Sequence, residues 1–462
     1  MNRPADAPES LLGDPVWIPK ESAEQELFPD SQRWIWGFLV LGILVRSVRY
    51  FERFPLWEDE CFVCVSIFKR GFRELLHPLD YHQVAPGLFL WLQKAVTLVF
   101  GFNELALRLV PYVCGIASLF LFSHLVSRLV RGPARLFCVA FFAVSYPGVR
   151  YAAEAKPYGT DLFVSLVLVV LLVEWLRRPA QRKWLLTLIV WCPLALGMSY
   201  PAVFTVGGVS LILLVVAVRH RLRGVWPWWI GFNAAAAVSL AAVFFLVIRP
   251  QSGAELGFMS GYWDKAFPPL GSVVAFAKWM VLTHTGSLLA HPAGSDNAGS
   301  ILTTILVIIG IGVFVRRKEL TVPLLFLAPL ALHFAAAALK RYPYGGHVKF
   351  SMYVAPMIYL FFGIGIAALL GLDLRKDKRA DFVRNLRIVL ILAVVMGAGK
   401  ISCDLLFPYK MKFRSASPRL CPMVLEQRQL RRSGGGYQRR PRPRILPGDL
   451  ARAKLVGHVP SQ

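Results

Sequence analysis

Residues 34–60 read WIWGFLVLGILVRSVRYFERFPLWEDE, so a long apolar run leads almost directly into three consecutive carboxylates. The run 34–51 is long enough to cross a bilayer as a helix. Glu58, Asp59 and Glu60 then lie at a membrane surface, where adjacent carboxylates repel one another and lose hydration. Packing gives no reason for such a cluster. It indicates a site that binds a metal, or that binds a polar substrate and removes its proton.

The rest of the chain has the composition of a membrane protein. Of its 462 residues 56% are hydrophobic and 17% are charged, and the mean hydropathy is +0.53. A soluble protein carries about 25% charged residues. The apolar runs predict an all-α polytopic membrane protein with about 11 transmembrane helices. The predicted spans are 34–51, 105–128, 134–148, 160–176, 184–199, 202–218, 226–248, 300–315, 322–339, 351–371 and 388–406.

Basic loops between the spans predict the orientation. Groups of Arg and Lys at 128–135, 177–183 and 219–223 are separated by pairs of spans, so they share one side, which we expect to be cytoplasmic. The run 86–100 is short and partly polar, which favours a helix lying in the interface. In that case the N-terminus is cytoplasmic and the loop 52–104 faces outside. If 86–100 crosses the membrane instead, the N-terminus is outside and the acidic cluster is inside. The charge distribution alone does not decide between these two topologies.

The two ends of the chain differ in charge. Residues 1–32 hold 7 acids against 2 basic residues, which does not resemble a cleaved signal peptide, so we expect the first span to stay as an anchor. Residues 408–462 hold 13 Lys and Arg against 2 acids and are predicted to be disordered. The predicted organisation is a cytoplasmic segment 1–33, a transmembrane domain 34–407 and a basic tail 408–462.

The second outer loop, 149–161, concentrates polar residues at the entrance to a helix. Glu154, Lys156, Tyr158 and Asp161 lie within eight residues of one another. This combination is suited to binding a charged substrate. An aromatic belt at the interface with a solvated ion pair is the alternative.

A short turn between two later spans is the second candidate. It contains Arg341, Gly345-Gly346, His347 and Lys349 on the predicted outer face, where positive charge is unusual. Arg, Lys and backbone amides all bind phosphate, so a phosphate at the membrane surface would explain the turn. A contact with anionic lipid headgroups is the alternative. In the first loop, His82 is either an acid/base group or a solvated side chain.

Carboxylates beside cations on one face of a membrane are suited to sugar transfer from a lipid phosphate. A carboxylate removes the acceptor proton, and cations stabilise the departing phosphate. The long outer loop 249–299, with its Trp and Tyr residues, could close over such a site. A transporter or flippase of lipid-linked sugars is the competing function. It would need charged or broken helices near mid-membrane, and acids are rare in these spans.

Several motifs occur in a fixed order along the chain. They are Trp57-Glu-Asp-Glu60, His82…Ala85-Pro86-Gly-Leu-Phe-Leu-Trp91, Phe100-Gly-Phe-Asn-Glu104…Arg108…Pro111, Tyr151-Ala-Ala-Glu-Ala-Lys-Pro-Tyr158…Asp161 and Arg341-Tyr-Pro-Tyr-Gly-Gly-His347. In order and spacing they resemble the C-type (GT-C) membrane glycosyltransferases. The resemblance is greatest to the branch that is protein mannosyltransferase-like and lipid A aminoarabinose transferase-like, which includes RgtA/B/C/D-like proteins.

The resemblance implies the GT-C fold, a cytoplasmic N-terminus and interfacial helices in the first outer loop. It implies inverting hexosyl or pentosyl transfer from a polyprenyl-phosphate donor to an envelope lipid, glycan or protein at the cytoplasmic (inner) membrane. Membrane lipids are further partners, and no nucleic acid is expected. The catalytic base would be Asp59, with Glu60 next. No cofactor is certain, and a divalent metal stays open.

The resemblance and the loop chemistry together assign the other candidates. Donor-phosphate contacts would be Lys156, Arg341, His347 and Lys349. Supporting residues would be Glu58, His82, Glu154, Tyr158 and Asp161. Two positions depart from the common pattern: Lys156 stands where many relatives have Arg, and His347 stands where the later turn often has Arg. Neither can grip a phosphate in the bidentate manner of Arg.

Overall fold

The apolar run that follows the N-terminal segment forms the expected helix, α1 (Ser31–Phe51). The computed structural model describes residues 10–17, 31–53, 56–251, 261–292, 294, 298–371 and 379–406. The predicted tail 408–462 therefore lies outside the described residues, as does most of the N-terminal segment. Most of the described chain is helical.

The remaining helices are numbered in chain order. They are α2 (Glu58–Lys69), α3 (Gly87–Phe100), α4 (Glu104–Leu129), α5 (Pro133–Ala143), α6 (Tyr146–Tyr151), α7 (Tyr158–Arg177), α8 (Lys183–Met198), α9 (Ala202–Arg219), α10 (Trp226–Val243), α11 (Val273–His284), α12 (Ile301–Arg316), α13 (Thr321–Ala338), α14 (Ala355–Gly371) and α15 (Arg379–Leu406). A π-helical turn, Phe244–Ile248, carries α10 on to Gln251.

The all-α fold class is confirmed. Among the described residues, β structure is limited to two parallel two-residue strands, β1 (Val16–Trp17) and β2 (Val130–Arg131). In the described part of the chain, eight helical segments are long and apolar enough to cross a membrane. The other three predicted spans correspond to α5, α8 and α12, which have 11, 16 and 16 residues.

The end of α5 shows why one predicted span is too long. We expected a helix over 134–148, but α5 ends at Ala143 and a new helix begins at Tyr146. Ser145 accepts the Gly148 amide and caps the new helix, and Pro147 fits its first turn. The Arg46 guanidinium donates to the Ala143 carbonyl at 2.7 Å, which satisfies the end of α5.

The predicted basic loops meet at one end of the helix bundle. The Leu11 amide donates to the Leu176 carbonyl at 2.8 Å, and Arg177 donates to the Arg128 carbonyl at 3.0 Å. Strand β1 pairs here with β2, so part of the acidic N-terminal segment is packed on this end. We call it the basic end.

The first loop begins and ends at the opposite end of the bundle. The Tyr50 hydroxyl, near the end of α1, donates to the Leu105 carbonyl at the start of α4, at 2.8 Å. The segment 52–104 therefore returns to the end it left, and α3 does not cross the bundle. Lys94 of α3 donates to the Ile67 carbonyl of α2 at 2.8 Å, and a small apolar core fills the space between these helices. The prediction of helices in this loop is confirmed, and their position in the membrane interface stays a prediction.

The long loop is more ordered than the sequence suggested. We predicted only a long outer loop over 249–299, but α11 forms within it, capped by Ser272 accepting the Ala275 amide. The Tyr344 amide donates to the Ala266 carbonyl at 2.9 Å, so the loop is docked on the Gly345-Gly346 turn. Both glycines have positive φ, 82° and 74°. A Cβ on Gly345 would lie 2.5 Å from Thr283, so this contact requires glycine.

Candidate active site

The Asp59 carboxylate and the Lys156 ammonium form the centre of the site. Asp59 lies in the first turn of α2, and Lys156 lies in the bend that leads into α7. Lys156 Nζ is 2.9 Å from Asp59 Oδ1 and 2.7 Å from Gln83 Oε1. The Asp59 side chain is 35% exposed, whereas that of Lys156 is 7% exposed. The Asp59 carboxylate is therefore accessible to a ligand, whereas the Lys156 side chain is buried.

The surroundings of Asp59 keep it ionised. Its burial alone would raise the pKa of the carboxyl, but Lys156 and Lys349 outweigh this effect and lower the pKa below its usual value. Glu154 opposes them weakly. Asp59 is therefore a carboxylate at neutral pH, able to accept a proton.

Glu60 lies in a different environment although it is the next residue. It is fully buried, and Arg108 donates to both of its oxygens, at 3.1 and 3.0 Å. The Ala155 amide donates to Glu60 Oε1 at 2.8 Å, and the Trp57 amide donates to Oε2 at 2.9 Å. This buried ion pair joins the first loop, α4 and the second loop.

The second loop is folded inward. Glu154 is 5% exposed and accepts from Arg150 Nε at 2.8 Å. Tyr158 packs edge-to-face on Tyr151, with ring centroids 5.1 Å apart. The predicted alternative of a solvated interface pair does not fit these buried contacts.

Lys349 lies among aromatic rings. Its Nζ is 4.8 Å from the Trp263 ring centroid, 5.4 Å from that of Phe350 and 5.5 Å from that of Tyr158. These distances allow cation–π contacts. Lys349 thus brings together the long loop 249–299, the start of α7 and the turn 340–349, which we call the late turn. Its charge also lowers the pKa of Asp59.

His347 is near the same group but is neutral. Its Nδ1 accepts the Lys349 amide at 3.2 Å, and the Tyr151 hydroxyl lies 3.4 Å away. Burial, Lys349 and Arg150 lower the pKa of His347 to about 4. At neutral pH it can offer an Nε2–H to a ligand but not a charge.

Two further candidates lie apart from this centre. The Arg341 side chain is exposed, and the structure gives it no side-chain hydrogen bond or ion pair with another described residue. Asp161 is 3% exposed in the first turn of α7 and hydrogen bonds to Ser199, while its Oδ1 has no partner among the described residues. For Glu58 and His82, two of the predicted supporting residues, the structure describes the backbone but not the side chain.

Sequence reasoning missed three contacting residues, Gln83, Arg108 and Arg150. A signal existed for Arg108, because a lone Arg near the start of an apolar helix usually has a buried partner. Gln83 carried no such signal. In the part of the chain that the structure describes, no group of three or more His, Cys, Asp or Glu side chains could hold a metal. Each of the site carboxylates Asp59, Glu60 and Glu154 instead contacts a cation.

Comparisons with known proteins identify one similar family and several similar solved structures. The family described as dolichyl-phosphate-mannose-protein mannosyltransferase matches residues 84–248. No curated protein matches the chain. The structure of ArnT from Cupriavidus metallidurans in the apo state is 15% identical, with a TM-score of 0.50, over 78% of this chain and 63% of ArnT. The chain thus spans less than two thirds of the length of ArnT.

Two other solved structures are similar at lower scores. ArnT from Cupriavidus metallidurans bound to undecaprenyl phosphate is 16% identical with a TM-score of 0.49, over 77% of this chain and 63% of that one. An Archaeoglobus fulgidus oligosaccharyltransferase tethered with an acceptor peptide is 11% identical with a TM-score of 0.46, over 80% and 55%. The chain is an all-α polytopic membrane protein that shares the GT-C fold of ArnT, and its residues 84–248 are similar to the dolichyl-phosphate-mannose-protein mannosyltransferase family.

Proposed function

We propose that this protein is a membrane glycosyltransferase that uses a polyprenyl-phosphate-linked sugar. The acceptor would be an envelope lipid, glycan or protein, and the sugar would be a hexose or a pentose. One observation carries the proposal: an accessible, ionised carboxylate, Asp59, lies 2.9 Å from the Lys156 ammonium, and Lys349 also lowers its pKa. A base beside a phosphate-binding group is what this reaction needs.

Asp59 is the proposed base. It removes the proton from the acceptor hydroxyl or amine, and the acceptor atom forms a bond to the anomeric carbon. The bond from that carbon to the phosphate oxygen breaks, and its electron pair stays on the phosphate. Attack from the side opposite the phosphate inverts the configuration. Glu60 is less suited to this step because both of its oxygens already accept hydrogen bonds inside the protein.

Lys156 is the proposed link between donor binding and base strength. In the structure it lowers the pKa of Asp59. A donor phosphate that takes over Lys156 would weaken this effect and add a negative charge near the carboxylate, and both changes raise the pKa of Asp59. The base would therefore be strongest when the donor is in place.

The other proposed contacts to the donor phosphate come from Lys349 and the turn that precedes it. The described side chains of this cluster include three carboxylates, those of Asp59, Glu60 and Glu154, and four basic groups, those of Lys156, Arg108, Arg150 and Lys349. His347 would contribute a neutral N–H, and Arg341 would approach the phosphate from its exposed position. Trp263 and Tyr158 provide aromatic faces suited to a sugar ring.

The proposed location is the cytoplasmic (inner) membrane, with the site on its outer face. The basic end of the bundle is expected to be cytoplasmic. Asp59 and Lys156 lie near Tyr50 and the start of α4, at the other end. The N-terminus would then be inside.

The function is tested by mass spectrometry of envelope lipids, glycans and proteins from cells with and without the gene. We expect one sugar modification to disappear without the gene and to return with the wild-type gene. An Asp59→Asn gene should fail to restore it. Identical glycan profiles in all strains, with the protein shown to be present in the wild type, would contradict the proposal.

A further inference from the structure

Gln83 provides a second acceptor for the Lys156 ammonium, and the short segment that carries Gln83 is fixed at both ends. Gln83 Oε1 accepts from Lys156 Nζ at 2.7 Å, and Gln83 Nε2 donates to the Tyr81 carbonyl at 3.4 Å. Tyr81 has a φ of 59°, which is uncommon for a residue other than glycine. Its ring stacks on that of Phe62 in α2, with centroids 4.9 Å apart. This stacking holds the N-terminal side of the segment.

Tyr200 holds the C-terminal side of the same segment. The Tyr200 hydroxyl donates to the Ala85 carbonyl at 2.9 Å, across 115 positions of the chain. Ala85 is 1% exposed, and a carbonyl buried in this way needs a donor. Gln251 adds a longer contact, 3.4 Å from its Oε1 to the Ala85 amide nitrogen, and its Nε2 donates to the Leu75 carbonyl at 3.1 Å. Side chains from outside the first loop thus contact both backbone polar groups of Ala85.

The position of Tyr200 relative to the first loop is set by helix packing. Tyr200 lies in the bend between α8 and α9, where the Ser199 hydroxyl accepts the Ala202 amide at 3.2 Å. A Cβ on Gly197, near the end of α8, would lie 3.2 Å from the Leu88 Cβ of α3, so the two helices are in close contact. This packing fixes the start of α3, and the chain just before it, relative to Tyr200.

We propose that Tyr200 is a positioning residue for the candidate active site. It fixes the Ala85 carbonyl and so the segment that carries Gln83. Gln83 in turn keeps the Lys156 ammonium beside Asp59. The expected effect on turnover rests on the proposed function, whereas the effect on the Lys156 ammonium does not.

Loss of the Tyr200 hydroxyl should weaken the effect of Lys156 on the proposed base. Lys156 lowers the pKa of Asp59 from a distance of 2.9 Å. Without a fixed second acceptor, the ammonium spends part of its time away from Asp59, and the pKa of Asp59 rises. The acid limb of kcat/KM then moves to higher pH, by less than in Lys156→Met. The described titratable groups that act on Asp59 are Lys156, Glu154 and Tyr158 near the start of α7, and Lys349 and His347 of the late turn.

The test uses the full-length protein purified in a neutral detergent and compares the wild type with Tyr200→Phe, which removes only the hydroxyl. Acetylation of Lys156 by a water-soluble N-hydroxysuccinimide ester is followed by peptide mass spectrometry, with the exposed Lys278 as the internal reference. We expect Lys156 to react about two- to tenfold faster in the variant, the range for one net hydrogen bond. The pH profile of kcat/KM is measured on the same preparations.

Two further variants make the test specific. Gln251→Met removes the other side-chain contact to Ala85 and should produce the same two effects. Tyr112→Phe is the matched control, because it removes a hydroxyl that lies 2.7 Å from the Ser47 hydroxyl, between α1 and α4. It should lower the Tm without changing Lys156 acetylation or the acid limb.

The two readouts separate the positioning role from the proposed function. If the wild type transfers no sugar, the proposed function fails, and faster acetylation of Lys156 in Tyr200→Phe still supports the positioning role. An unchanged acetylation rate in Tyr200→Phe would overturn that role. So would faster acetylation with an unchanged acid limb in an active protein, or equal changes in Tyr112→Phe.

Discussion

Lys156 Nζ lies 2.9 Å from Asp59 Oδ1, although the two residues are 97 positions apart in the chain. This contact joins the acidic cluster of the first loop to the second loop. It also determines how the proposed base titrates, because Lys156 is the largest of the effects that lower the pKa of Asp59.

Replacing Lys156 with Met should move the acid limb of the kcat/KM profile to higher pH. Asp59 acts as a base only above its pKa, and Lys156 lowers that pKa. Without the ammonium, burial raises the pKa, so activity is lost earlier as the pH falls. A pH series of kcat/KM from 3 to 8 measures the shift. An acid limb at the same pH in both proteins would mean that Asp59 does not control it.

Replacing Glu60 with Gln should destabilise the protein strongly. The change leaves the Arg108 charge buried without its carboxylate, which costs about 3–5 kcal/mol. Tm measurements of Glu60→Gln, Arg108→Gln and the double variant give the comparison. We expect the double variant to lose less than the two single variants added together. Additive losses would show that the pair does not act as a unit.

Replacing Lys349 with Gln should raise the donor KM by about tenfold, as expected for one lost charge-assisted contact. The Trp263 and Tyr158 rings contact this cation, which lowers the pKa of Asp59. Lys278→Gln is the matched control, since Lys278 is an exposed cation of α11 in the same outer loop. Equal donor KM values for Lys349→Gln and the wild type would assign the phosphate to other groups.

Replacing His347 with Asn should reduce the loss of stability in mild acid. The pKa of His347 is about 4 in the folded protein and about 6.5 when unfolded, so the unfolded chain binds the proton first. Stability therefore falls as the pH drops from about 6.5 towards 4. Asn can still accept the Lys349 amide but does not titrate. Equal changes in Tm between pH 7 and 4.5 in both proteins would contradict this account.

Most of the fold could be predicted from the sequence, because a long apolar segment that crosses a membrane can satisfy its backbone hydrogen bonds on its own only as a helix. The same reasoning overextended α5, since it counted apolar residues and gave too little weight to the Ser145-Tyr146-Pro147 signal for a new helix. It missed α11 because a 12-residue helix in an outer loop has neither the length nor the apolar periodicity of a span.

The site was predicted less completely than the fold. Loop order indicated that Asp59 and Lys156 lie at one end of the bundle, and they are in contact. Which carboxylate is buried could not be predicted, because the difference between Asp59 and Glu60 depends on Arg108 and the Ala155 amide, which are distant in sequence. The neutrality of His347 likewise depends on burial that only the folded turn creates.

We propose that Asp59 is the base in transfer from a lipid-linked sugar. The most direct measurement is the single-turnover transfer rate of Asp59→Asn, using a polyprenyl-phosphate sugar that the wild type accepts. We predict a rate about 10²–10⁴-fold below that of the wild type, the loss typical for a general base, with donor binding retained. A rate near that of the wild type would show that Asp59 is not the base.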